Sequence, residues 1–155
     1  MKWIVTLILS LFCADTLSAE VVQIVDEKGK TVEIKSKSIS EPWDKVDFSY
    51  RPPKFILRFT KENFSGKDAA LVIDGAPPAL LKLVAGKQEQ AASGQYESTS
   101  WFALDGQDVS RIRDAKSVEI RVYFLDQPSA TWQVPVEILQ EWKLVIDTAR
   151  ALPQQ

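Results

Sequence analysis

The sequence predicts an α+β domain: a mostly antiparallel β-sheet with one short helix and a C-terminal amphipathic helix. Three observations carry that prediction. Period-two alternation of apolar and polar residues recurs from residue 20 onward. The two stretches with a clear helical stripe both lie in the last third of the chain. Helices are therefore too rare between strands for a regular parallel α/β sheet. A β-sandwich with peripheral helices is the alternative.

The chain opens on Lys2, followed by the apolar run Trp3 to Ala14 and then Asp15. A positive start and a short apolar run read as a secretory signal peptide. The run is too short to span a bilayer, which takes about 20 apolar residues. Leu17-Ser18-Ala19 puts a small residue at the cleavage position, so cleavage is expected after Ala19. Phe12 precedes Cys13 where a lipid-attachment site wants a small residue, which argues against a lipoprotein. An uncleaved anchor is the remaining alternative. On this reading residues 20–155 form one exported domain, with no membrane insertion after cleavage and no internal repeat or linker.

The exported part starts with a hairpin. Val21 to Val25 alternates, Asp26 to Lys30 turns, and Thr31 to Lys37 returns with Val32 and Ile34 on one face. Gly29 suits the positive φ of such a turn. Ser40 to Pro53 is the least regular stretch, interrupted by Pro42, Pro52 and Pro53. It holds Trp43, Phe48 and Tyr50, so it is expected to be an aromatic loop. Lys54 to Thr60 sets Phe55, Leu57 and Phe59 against Ile56, Arg58 and Thr60, a strand signature.

Ala69 to Ile73 is a short buried strand ending at Asp74-Gly75. Residues 76–95 are ambiguous: Pro77-Pro78 could start a helix through Val84, or the same residues could form a strand ending at Gly86. Lys87 to Gly94 reads as a polar loop. Ser98 to Leu104 is a strand containing Trp101. Asp105 is a good N-cap, and Val109, Ile112 and Ala115 mark a short helix over 106–115. Ser117 to Leu125 alternates, Asp126 to Ser129 turns, and Thr131 to Val134 returns. Pro135 opens the closing helix, where Ile138, Trp142, Val145 and Ala149 share one face, flanked by Leu139 and Ile146. Glu137, Glu141, Lys143 and Asp147 fall largely off that stripe.

Composition narrows the chemistry. The chain has no His, and its one Cys, Cys13, lies in the leader. A disulfide-free exported domain fits a bacterial periplasm better than an animal secretome. The tripeptide Asn63-Phe64-Ser65 then reads as a chance sequon. The formal charge is −2, with one charge of each sign in the leader. Without a basic excess, nucleic acid is not an expected partner, and no polybasic face invites anionic lipid.

Without His, a serine triad has no imidazole to take the hydroxyl proton. Asp44 and Asp47 beside Trp43 and Tyr50 could serve a carboxylate-based hydrolase; solvated loop acids are the plainer reading. Asp105-Gly106-Gln107-Asp108 lacks the ligand spacing of a calcium loop, and a helix cap explains it. Arg111, Arg113, Lys116 and Arg121 are interleaved with Asp114 and Glu119, so a solvated face is expected. No cofactor or metal is expected. Trp101, Trp132 and Trp142 are expected in the core. Trp43, Tyr50 and Arg51 form the candidate binding set, an aromatic–arginine composition typical of interface anchors. The expected function is a non-enzymatic periplasmic domain that binds a protein partner in the bacterial envelope. Binding of a small molecule or glycan is the second reading.

Overall fold

The computed structural model describes residues 5–10, 20–36, 45–62, 68–90, 92, 94, 96–123 and 128–153. The protein is α+β and mostly antiparallel. One sheet holds seven strands: β1 (Val5–Ser10), β2 (Glu20–Val25), β3 (Thr31–Ser36), β4 (Lys45–Arg51), β5 (Lys54–Glu62) and, further along the chain, β8 and β9. A smaller sheet takes β6 (Asp68–Ile73) and β7 (Ala79–Leu80). Next come β8 (Lys82–Gln90), β9 (Tyr96–Leu104), α1 (Gly106–Asp114), β10 (Val118–Tyr123), β11 (Ala130–Gln133) and α2 (Val136–Arg150). The large sheet runs β1-β2-β3-β4-β5-β9-β8, and the small sheet β11-β10-β6-β7. β1, drawn from the expected leader, pairs antiparallel along β2.

The large sheet is one layer; α2 and the small sheet are the other. α2 packs across β2, β3 and β4. Trp142 stacks on Phe48 of β4, ring centroids 5.0 Å apart, and lies 6.4 Å from Trp132 of β11. Val21, Ile34, Phe48, Leu57 and Phe102 from the large sheet join Leu71 and Ile120 from the small one in a single core. Val109 and Ile112 bring α1 into the same core, with Ala115 at its C-terminal cap.

The expected helices form where the spacing placed them. Asp105 caps α1, its side chain accepting from the Asp108 N–H at 2.8 Å. On α2, Ile138, Trp142, Val145 and Ala149 are buried with Leu139 and Ile146. Glu141 departs from expectation and is buried too. Polar contacts clamp the two helices together: Arg113 Nε donates to Asp147 at 2.6 Å, and Arg150 to Ser110 Oγ at 2.9 Å. Lys143 Nζ reaches the Ala115 carbonyl at the end of α1, 2.6 Å away.

Three segments differ from the sequence reading. Lys45 to Arg51 is a regular strand within the stretch expected to be an irregular aromatic loop. Prolines disrupt a ladder only where they sit, and Pro52-Pro53 sit in the turn between Arg51 and Lys54, which are themselves paired. Residues 82–90 resolve the helix-or-strand ambiguity as strand. That strand passes through Gly86 and takes in Lys87 to Gln90, which were expected to be loop. Its pairing with β9 holds the backbone even though every residue of β8 is exposed. Trp101 is only half-buried, for a reason that bears on the site below.

Candidate functional site

Opposed residues of an antiparallel pair share a face of the sheet. On the face turned away from α2, Asp47, Arg58, Trp101 and Ala85 follow one another across β4, β5, β9 and β8. The next row is Ser49, Ile56, Ala103 and Lys82. Arg51 and Lys54 close that end at the hairpin tip. Trp101 and Phe102 are adjacent in one strand, so only one of them can face the core. Phe102 does, fully buried, and Trp101 takes the outer face.

A cleft of about 340 Å³ opens here, at the small end of the range for ligand pockets. Its floor and walls are Ile56, Trp101, Ala85 and Val84, and its rim is Arg51, Pro52, Pro53 and Lys54. The pairing register of β8 slips between Leu83 and Ala85. Such a bulge re-aims side chains, and Val84 enters the lining at this point. Leu80, Leu83 and Val84 extend exposed apolar surface along the adjoining chain.

Cations gather around this apolar floor. Arg51 Nε pairs with Glu33 at 2.9 Å while remaining half exposed. Arg58 pairs with Asp47. Burial pushes the Asp47 carboxyl up from its ordinary range, and the neighbouring Arg58 charge opposes that shift. The Arg58 Nε atom is buried without a hydrogen-bond partner among the described residues. Lys54 and Lys82 are exposed and make no ion pair among the described residues. Four cations thus face two carboxylates, both already engaged by arginines.

Of the candidate binding residues, Arg51 and Tyr50 take opposite faces of β4. Arg51 is on the rim of the cleft. Tyr50, its neighbour in β4, lies on the core side with its ring 4.8 Å from Phe55. Trp43 and Asp44 lie outside the described residues. Trp101, Val84, Ile56 and Lys54 were missed; the Trp101-Phe102 pair within an alternating strand was the available signal. The basic stretch behaves as a paired surface: Arg111 meets Asp108, Arg113 meets Asp147, and Arg121 meets Glu119. No group of three or more His, Cys, Asp or Glu residues is placed to hold a metal among the described residues. No helix among them is long and apolar enough to cross a membrane.

No protein-family model matches the chain, and no curated protein matches its sequence. Among solved structures it is similar to invasion associated protein B from Bartonella henselae. That likeness has 12% identity and a TM-score of 0.38, covering 97% of this chain and 96% of the other. An overlap that loose carries no argument here.

Proposed function

We propose that this chain is an exported, non-enzymatic domain of the bacterial envelope that binds a protein partner through the Trp101 cleft. The observation that carries this reading is a half-buried tryptophan on an apolar floor, ringed by Arg51, Lys54 and Lys82. Apolar anchors with flanking charge are the usual make-up of a binding centre. The leader pattern of residues 1–19 supports export, and a disulfide-free exported chain fits a bacterial periplasm better than an animal secretome.

The test is to express the full-length tagged chain in its native envelope, cross-link, and identify what co-purifies in stoichiometric amount. The intact mass of the recovered protein should begin at Glu20. The partner should be retained by the wild type and lost by Trp101→Ala. A partner held equally by both proteins sinks the assignment of the cleft, and a mass beginning at Met1 sinks export by cleavage. Binding of a small molecule or glycan is the second reading, favoured by the aromatic and apolar lining of the cleft. Quenching of tryptophan fluorescence by cell-wall fragments, absent in Trp101→Ala, is its signature.

A further inference from the structure

β8 ends the large sheet, so one edge of its backbone has no strand partner among the described residues. Such an edge is a template for another extended chain. From Ala85 to Gln90 its register with β9 runs without interruption. Every strand pair among the described residues is antiparallel, and an added strand that keeps the pattern runs antiparallel to β8. Its carboxyl end then lies toward Lys82.

Side chains and charge at that end match such an occupant. An added residue opposite Ala85 stands two strand spacings from Trp101, roughly 10 Å. Ala85 between them is small, so a large apolar side chain leaning across it meets Trp101 within the cleft. Beyond it, Lys82 on β8 is an exposed cation without an ion pair among the described residues. An ammonium group is suited to a terminal carboxylate. The bulge at Val84 interrupts the regular register at this point before pairing resumes at Leu83, which favours a chain that ends there over one that continues.

We propose that the cleft and the β8 edge together bind the free C-terminus of a partner protein. That terminus is extended, adds antiparallel along Ala85 to Gln90, seats an apolar or aromatic side chain on Trp101, and gives its carboxylate to Lys82. The proposal rests on the protein-binding reading of the cleft and specifies its ligand.

The probe is a library of random decapeptides displayed with free carboxyl ends, panned against the purified full-length gene product. The best sequence is then synthesised as the free acid and as the C-terminal amide, and each is titrated by fluorescence anisotropy. Enrichment of an apolar or aromatic residue among the last three positions is expected. The amide should bind at least tenfold more weakly. Lys82→Met should erase the difference between acid and amide, whereas Trp101→Ala should weaken both. Amide hydrogens of β8 should gain protection on binding, and Lys82→Met should melt like the wild type because that side chain is exposed. Equal affinity for acid and amide overturns the proposal, as does a library no more enriched than on Trp101→Ala. If cross-linking from position 82 joins an internal segment of a captured partner, the protein-binding reading stands and the C-terminal mode falls. A blank library with no captured partner fails both.

Discussion

Trp142 is fully buried, stacked on Phe48, and its indole Nε1 has no hydrogen-bond partner among the described residues. Trp142→Ala should cost about 3–5 kcal/mol in denaturant unfolding. Trp142→Phe should cost distinctly less, because a ring still stacks and the unsatisfied N–H disappears. Asp74 works differently. Its Oδ1 accepts from the backbone N–H groups of Lys116 and Ser117 at 2.9 and 2.8 Å, tying the end of β6 to the start of β10. Those bonds, the Ser117 N–H foremost, hold its carboxyl below the ordinary range. The folded pKa is thus below the unfolded one, so this contribution is present above about pH 4 and fades as pH falls through the folded value. Asp74→Ala should lower the melting temperature at pH 7, and its gap from wild type should narrow in acid. Asp47 has the opposite sign: its raised carboxyl disfavours the folded state as pH rises past the unfolded value.

At the scale of elements, β8 stands apart. All nine of its residues are exposed, and its main attachment is the ladder to β9. Hydrogen exchange should therefore be fastest in β8 and slowest in β5 and β9, where Leu57 and Phe102 have no exposed surface. Uniform protection across the three strands would contradict this. The same contrast explains what could be read in advance. α2 was legible because Ile138, Trp142, Val145 and Ala149 repeat with helical period on a buried face. β9 and β10 were legible because one face meets the core. β8 buries no face, so no pattern was impressed on its sequence, and KLVAGKQEQ gives no period to read. β4 was hidden by the prolines on either side of it in the sequence, although Val46, Phe48 and Tyr50 alternate with Asp47, Ser49 and Arg51. The cleft was the least legible part. Its residues come from β4, β5, β8, β9 and one turn, and only strand register brings them together.

At the scale of the molecule, Trp142 joins the layers by touching aromatic rings from both sheets. One shared core predicts one cooperative transition, so near- and far-ultraviolet circular dichroism should melt together. Separate midpoints would mean that the small sheet unfolds alone. The charge is less evenly shared than the core. The chain carries −2 overall, yet Arg51, Lys54, Arg58 and Lys82 crowd around the cleft against Glu33 and Asp47. A molecule with that distribution is a dipole, and an approaching anion feels the near pole before the net charge. Encounter with an acidic group should therefore be steered, with an association rate that falls as salt shortens the screening length to about 8 Å near physiological strength. Dissociation, governed by the apolar floor around Trp101, should barely respond. In stopped-flow traces the rim would set how quickly the ligand arrives, and the tryptophan how long it stays.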